Sequence, residues 1–443
     1  MNQFIFAAAL ALLGAGAVAQ TTVDLSVDQA RNVATQALLS DDPGLALQIA
    51  EAILSQQPDD RTSLVIVAAA APRVGDAPRG RAAGVRAWRV STTDTQKYEA
   101  ARLTALAAAN EERFTLATFW LRRALTVAPN EDERTRTLND ARNVTRMNPW
   151  STQLSFSLVP SNNVNGGAED ESSTAPGNPT GTLSEDALAL EGWRASLSFG
   201  VQYRVQEAQN SRTTIGFTYQ AARVWITEET RVPDEAFNTN SYDLSLRHDR
   251  ALENGTLSFR ASRGLFEYRD LDLPTQSTDY EKYDIWRLGV DRRYPVNDRT
   301  LLSLSASREW LSYLATGIGE VDRVLLSGGV SYQLDSRDRV STTLTLVDSD
   351  GDSVNYTSDQ QTLSLGYSFA DPIGPISLSL GGGIKWSDYP EYRLLNAVTG
   401  GRQDTTAFAS ANIGFPEIAY AGFTPALRLD LSDTDSNVSR FDR

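Results

Sequence analysis

The sequence predicts an N-terminal α-solenoid of tetratricopeptide-like (TPR-like) repeats, followed by a transmembrane antiparallel β-barrel of about 14 strands. Three observations predict this fold class. An apolar leader opens the chain, apolar residues recur at helical spacing up to about Trp150, and beyond it short stretches alternate apolar and polar residues. These features divide the chain into a signal peptide (residues 1–19), a periplasmic helical domain (20–147) and an outer-membrane barrel (148–443).

The leader has the apolar run and the cleavage pattern of a secretory signal peptide. The run extends from Phe4 to Leu13, and the small residues 17–19 precede Gln20. The run is too short to span a bilayer as a helix. The sequence contains no cysteine, so it offers neither a disulfide nor a cysteine for lipid attachment, and we expect membrane integration through strands.

The formal net charge of -15 argues against general nucleic-acid binding, because such binding needs a basic surface to displace counterions from phosphate. Two acidic runs, Glu169–Glu171 and Asp348–Asp352, fall in predicted loops, where solvated charge is the simplest interpretation. Calcium binding is the alternative, but the second run lacks the glycine placement and terminal glutamate of an EF-hand loop. We therefore predict no metal site and no cofactor.

Residues 23–146 predict paired helices. Segment 45–54 precedes Pro58 and segment 116–125 precedes Pro129, and superimposing the prolines aligns alanine with alanine and leucine with leucine. The offset is about twice the roughly 34-residue TPR period and predicts about three degenerate repeats, with an ordinary helical bundle as the alternative. Stacked repeats form a concave surface suited to extended peptides or partner proteins. The predicted partner-binding face consists of Tyr98, Arg102, Arg113 and Arg122.

The strand that begins at Trp193 shows the barrel pattern most clearly. Its odd-numbered residues up to Tyr203 are apolar with aromatic ends, and its even-numbered residues are polar, charged or glycine. About ten residues tilted near 40° separate the aromatic ends by about 25 Å along the membrane normal, the height of an outer-membrane apolar band. A soluble sandwich would alternate too, but has no reason to place aromatic residues at this separation. The opposite face should line a wet lumen of mixed charge, which includes Arg204, Arg260, Arg287, Asp291, Arg428 and Asp430.

The connections between strands predict the orientation of the barrel. Short links such as 208–210 alternate with longer ones such as 228–238, 270–279 and 387–401. Short turns belong to the periplasmic side, and because the first connection is long, strand one runs outward from a periplasmic helical domain. About thirteen strands are complete and another begins at Asn437; since bacterial barrels have even strand numbers, we expect that about ten residues of a last strand are missing.

Two similar segments lie at the predicted outer ends of the first and last strands. Segment 161–165 ends strand one, and segment 436–438 begins the last strand. These strands are neighbours in a closed antiparallel barrel. We hypothesise a weakened seam that opens sideways to substrate, with turn geometry as the alternative role of the asparagines. The seam residues are Ser161, Asn162, Asn163, Val164, Asn165, Ser436, Asn437 and Val438.

The sequence offers no constellation for nucleophilic or metal-assisted catalysis. Its single histidine, His248, precedes Asp249 near the periplasmic end of a strand, where adjacent residues point to opposite faces. The sequence contains no glycine-rich phosphate loop. We predict no catalytic residue and no enzymatic activity.

The order of helical repeats and barrel resembles the surface lipoprotein assembly modifier (Slam) family over most of the mature chain. The resemblance is carried by the junction 148–150, by 160–166 after strand one, and by segments 98–103 and 121–124. It implies an outer-membrane translocator that helps specific lipoproteins, or related haem-acquisition proteins, reach the cell surface. The predicted partners are the outer-membrane bilayer, the substrate lipoprotein or secreted protein, and the barrel-assembly machinery.

Other functions fit parts of the pattern. An exopolysaccharide-export porin also joins TPR repeats to a barrel, but it needs a wider lumen with aromatic or acidic sugar contacts and usually has a longer repeat array. A general outer-membrane channel has no need of a helical domain. An inert anchor that carries working repeats is a further alternative.

Overall fold

The computed structural model describes residues 25–272, 277–314, 317–418 and 423–443. The signal peptide predicted for residues 1–19 lies outside the described residues. The chain divides into two compact units, Met1–Asn148 and Pro149–Arg443.

The described part of the first unit is an array of seven α-helices. Consecutive helices pack against each other, which gives three helix pairs and a single last helix and confirms the predicted TPR-like solenoid. Among the described residues, no helix has both the length and the apolar character needed to cross a membrane. The helices are α1 Val27–Leu39, α2 Pro43–Gln56, α3 Arg61–Ala70, α4 Ala77–Val90, α5 Asp94–Asn110, α6 Phe114–Leu125 and α7 Glu131–Met147.

Small residues allow the helices to approach each other closely. Ala46 of α2 and Ala117 of α6 are aligned by their following prolines in the sequence, and both are completely buried. At Gly84 of α4 a Cβ atom would lie 2.3 Å from the Thr104 side-chain oxygen of α5, so only glycine permits this contact. The core is therefore built from close backbone packing more than from large side chains.

The second unit is dominated by a single antiparallel sheet of thirteen strands. Each strand pairs with its neighbour in the sequence, which makes an up-and-down meander. A small hairpin of Ser172–Ser173 and Gly181–Thr182 lies in the first long connection. The strands are β1 Trp150–Ser161, β2 Gly192–Ala208, β3 Ser211–Ile226, β4 Thr239–Leu252, β5 Gly255–Asp272, β6 Ser277–Pro295, β7 Thr300–Tyr313, β8 Glu320–Gln333, β9 Arg339–Gly351, β10 Ser358–Ser368, β11 Ser377–Tyr389, β12 Arg402–Gly414 and β13 Ala426–Ser436.

In this sheet the apolar face is exposed and the polar face is buried, which is the reverse of the burial in a water-soluble protein. On one face Leu288 is 52% exposed and Leu365 is 60% exposed, whereas on the other face Ser258 and Ser262 are only 4% and 6% exposed. Apolar residues occupy the exposed face across all thirteen strands because the register places them opposite one another. A polar inner wall and an apolar outer band are the arrangement of outer-membrane barrels.

The edges of the sheet are β1 and β13, and both run in the same direction because the pairing is antiparallel at every step. The loop after β1 contacts the segment after β13: the Thr174 N–H donates to the Ser439 hydroxyl at 2.8 Å, and Arg443 donates to the Gly166 carbonyl at 2.8 Å. The sheet therefore curls so that its edges approach at this end. Among the described residues β1 does not pair with β13, so the curled sheet is not closed by strand pairing.

The predicted start of a further strand at Asn437 is not found, since the last strand of the described residues ends at Ser436. Residues Ser439–Phe441 form a 3₁₀ turn. The Arg443 backbone then bonds to Thr434 in both directions, at 2.6 and 3.1 Å. These bonds fold the segment back on the end of β13, so it does not continue along the edge of the sheet.

The connections alternate clearly between short and long over the first five strands, but less so later in the sheet. The links 209–210 and 253–254 have two residues each, and the long connections 162–191 and 390–401 lie at the opposite end of the strands. Connections 369–376 and 415–425 have eight and eleven residues at the end of the short links, whereas 314–319 and 352–357 at the opposite end have six residues each.

The acidic run Asp348–Asp352, predicted as loop, belongs to β9 up to Gly351. The predicted loop 270–279 is largely strand, since Asp270 pairs with Asp279 in register. Phe266 of β5 stacks on Tyr283 of β6 near these extended ends.

Candidate functional site

The polar wall carries a belt of paired charges across β4 to β7. The Arg287 guanidinium of β6 donates to the Asp243 carboxylate of β4 at 2.8 Å and to the Glu309 carboxylate of β7 at 3.0 Å. Arg260 of β5 and Asp291 of β6 form a second pair at 3.4 Å. The belt pairs two arginines with three carboxylates, which leaves a wet surface of mixed charge.

The register also places Arg204, Arg428 and Asp430 on the polar face. Arg204 pairs with a glutamate three residues further on, and Arg428 donates to Asp430 at 2.7 Å on the edge strand. The six predicted lumen residues thus share one face, but only Arg260, Arg287 and Asp291 belong to the belt. The sequence prediction omitted the carboxylates of Asp243 and Glu309, although both occupy polar positions in the alternation of their strands.

The first predicted seam segment makes its hydrogen bonds within its own loop. The Asn163 side chain exchanges two hydrogen bonds with the Gly167 backbone, at 2.9 and 2.8 Å. The Asn165 side chain donates to the Leu188 carbonyl at 2.6 Å and accepts from the Leu190 N–H at 3.0 Å. Ser161 accepts the N–H of residue 163, Asn162 is exposed and Val164 is buried beneath the loop. These asparagines fix the geometry of the loop base.

The second predicted seam segment bonds to β12. The Asn437 side chain accepts the Gln403 N–H at 2.8 Å, and the Ser436 hydroxyl donates to Asp404 at 2.6 Å. Val438 is completely buried against the connection 390–401. The loop after β1 and the segment after β13 meet through the contacts of Gly166 and Thr174 given above. These residues follow the predicted seam residues in the sequence. The weakened seam remains a hypothesis.

A groove of about 1060 Å³ lies in the helical unit. Its walls come mainly from α1, α3, α5 and α7, the first helices of the pairs and the last helix. Leu106 of α5 is 52% exposed there, unlike the buried alanines of the same helix. The apolar lining consists chiefly of Leu38, Val65, Ala69, Leu106, Ala109 and Val144. Such a surface binds an extended or helical segment through apolar side chains.

Two of the four residues predicted to bind a partner line this groove, and they also tie α5 to α7. The Tyr98 hydroxyl contacts Glu133 and Thr137 at 2.8 Å each, and Arg102 donates to Glu133 at 3.1 Å and Asp140 at 2.5 Å. Burial raises the pKa of the Tyr98 phenol, and the hydrogen bond from this phenol lowers the pKa of Glu133. Tyr98 is only 7% exposed, so these side chains serve mainly to hold the groove wall in place.

Arg113 and Arg122 lie outside the lining of the groove. Arg113 occupies the N-cap of α6 and pairs with Glu111 at 3.7 Å, and Arg122 is exposed in the last turn of the same helix. The second helix of each pair forms the outer layer of a TPR-like array, which is why a charge on α6 does not reach the groove. The sequence prediction also missed Leu106. Its only signal in the sequence is that this leucine lies off the face that the buried alanines of α5 occupy.

His248 and Asp249 contact different groups. The His248 ring bonds to the Thr213 hydroxyl at 2.9 Å, whereas Asp249 accepts hydrogen bonds from Ser258 and Arg247 at 2.6 and 2.7 Å. The histidine therefore faces the apolar side and the carboxylate faces the polar wall. Within the described ranges, no group of three or more histidine, aspartate or glutamate side chains is arranged to hold a metal ion.

Comparison with known proteins finds matches among solved structures alone. No family model and no curated protein matches the chain. The type III secretion translocator chaperone SycD of Yersinia enterocolitica is 14% identical, covers 28% of this chain and 87% of its own length, and has a TM-score of 0.25. OccAB4 of Acinetobacter baumannii is 9% identical over 65% of this chain and 93% of its own, with a TM-score of 0.34. CdiB of the same organism is 10% identical over 66% and 68%, with a TM-score of 0.31.

Proposed function

We propose that this chain is an outer-membrane translocator that assists the delivery of specific lipoproteins or haem-acquisition proteins to the cell surface. The observation that carries the proposal is the reversed burial of the sheet, with exposed leucines outside and buried serines inside. A surface of this kind is unfavourable in water, because apolar patches of more than about 600 Å² are rare on soluble monomers. In a bilayer the same band is buried in hydrocarbon, while the lumen stays hydrated.

The strand connections support a periplasmic position for the helical unit. The two-residue links lie at the end of the sheet where β1 begins at Trp150, directly after the helical unit ends at Asn148. Short turns face the periplasm in barrels of this class, and long loops face outward. The helical unit would then receive its partner before that partner crosses the membrane.

The groove supports a protein as the partner. Its lining is mainly apolar, and its charged residues are already paired: Arg102 with Glu133 and Asp140, and Glu99 with Arg61. A segment that enters the groove therefore gains from the burial of apolar side chains, at about 25 cal/mol per Å². This mode of recognition suits an unfolded or helical segment of a protein before export.

The test is surface display in cells. The full-length protein is co-expressed with a lipoprotein or secreted haem-binding protein encoded beside it, and intact cells are probed with an antibody against that partner. We expect display that depends on this protein and is lost when residues 20–147 are deleted, with barrel insertion checked by protease treatment of intact cells. Display that is unchanged by the deletion would overturn the proposed role and favour glycan export or a general channel.

A further inference from the structure

A polar trough runs along the inner wall of the sheet, from β1 to β6. It consists of two adjoining cavities of about 440 and 510 Å³ that share Gln220, Ser241 and Phe266. Serine side chains of β1 and β2, among them Ser157 and Ser196, form its first part. Its volume is in the range of about 300–1,000 Å³ that small-molecule sites occupy.

Aromatic rings form the far end of the trough. Phe266 of β5 stacks on Tyr283 of β6 with ring centroids 5.0 Å apart and an angle of 21°. Tyr283 packs on Tyr313 of β7 at 4.8 Å, and Tyr313 packs on Tyr356 of the connection after β9 at 5.5 Å. Each ring is held by the next, so Phe266 presents a supported aromatic face to both cavities.

Hydrogen-bonding groups surround this face, and the charged residues that line the two cavities are Arg194, Arg260, Arg287 and Asp243. The Gln220 amide and the Ser241 hydroxyl line both cavities, and the Asp243–Arg287 pair lines the larger one. Arg287 and Asp243 are 37% and 30% exposed, so both retain access to a ligand. The excess of arginines over carboxylates in this lining disfavours a metal cation.

We propose that this trough binds a saccharide. A pyranose ring has an apolar C–H face that fits against Phe266, and its rim of hydroxyl groups matches the donors and acceptors of Gln220, Asp243 and Arg287. The hydroxyl-lined part over β1 and β2 accommodates further sugar units of a linear chain. This inference concerns the lumen wall and does not depend on the proposed role of the helical groove.

The test uses the full-length protein in detergent micelles with three probes: maltohexaose, cellohexaose and chitohexaose. Saturation-transfer difference NMR should show transfer to the ring C–H protons of at least one probe. Phe266→Ala should weaken that binding by about two- to tenfold, the range expected from loss of an aromatic contact. Gln220→Ala, which leaves the ring stack intact, should weaken it as well. Phe408→Ala is the matched control, because Phe408 faces the same wall on β12 and lies outside the trough lining.

Several results would overturn this proposal. One is an absence of transfer to all three probes in the folded protein; another is equal binding by the Phe266→Ala and Phe408→Ala variants. A third is that an unfolded polypeptide binds with dependence on Phe266 while the three saccharides do not, which would assign the trough to protein substrates. The Phe266→Ala variant should leave surface display unaffected. A failure of the saccharide proposal is therefore distinguishable from a failure of the proposed export role.

Discussion

Replacement of Leu365 by arginine should lower the free energy of unfolding of the barrel in a bilayer by about 2–4 kcal/mol, the cost of a basic side chain on the lipid face near the midplane. Leu365 is 60% exposed, and its neighbours in register on the same face are Thr342 and Gly382. The loss comes from placing a charge in hydrocarbon and does not require damage to the packing of the sheet. Urea unfolding in lipid vesicles, followed by heat-modified mobility on gels, measures this change.

Ser364→Arg is the matched control for this experiment. Ser364 is adjacent in sequence on β10 and faces the polar wall, where an arginine meets hydrated polar groups. We expect a change of less than about 1 kcal/mol, because lumen substitutions leave the lipid-facing band intact. Equal effects of the two arginine variants would show that the exposed apolar face is not in contact with lipid.

Replacement of Leu106 by aspartate should abolish most of the surface display that depends on the helical unit. Leu106 is 52% exposed in the groove, so the substitution leaves the fold of the solenoid within about 0.5 kcal/mol of the original stability. A partner segment in the groove would have to bury the new carboxylate without an opposing charge. We expect the Kd to rise at least about tenfold, which corresponds to about 1.4 kcal/mol.

Leu39→Asp is the control for the groove variant. Leu39 is 74% exposed at the end of α1 and lies outside the groove lining, although its neighbour Leu38 belongs to it. Display by the Leu39 variant should equal that of the unaltered protein. Partner binding and display that survive the Leu106 change, in a protein with unchanged helical circular dichroism, would show that the groove does not receive the partner.

The alternation of single strands could be predicted from the sequence because each strand carries its own evidence. Leu363 and Leu365 alternate with Ser364. The register confirms that the two leucines share one face and that the serine lies on the other. The extents of β5 and β6 could not be predicted, because their outer ends are held by stacking of Phe266 on Tyr283, a contact between strands. Local composition there resembles a loop, and the pairing partner decides the structure.

The site was less predictable than the fold. Tyr98 is an aromatic residue on a helix, and nothing local reveals that its hydroxyl bonds to Glu133 and Thr137 in α7. Asn437 could begin a strand by its sequence, but its side chain bonds to Gln403 of β12 and the chain then turns back. Both outcomes depend on partners far away in the sequence, which periodicity does not identify.

Labelling of single introduced cysteines tests whether the sheet crosses the outer membrane with its long loops outside. The protein has no cysteine of its own, so a membrane-impermeant maleimide reacts with the introduced residue alone. Leu395→Cys, in the connection 390–401 where the leucine is 85% exposed, should be labelled in intact cells. Glu253→Cys, in the two-residue link between β4 and β5, should be labelled only after the outer membrane is opened. Equal labelling of both positions in intact cells, in a protein shown to be folded, would rule out this orientation in the outer membrane.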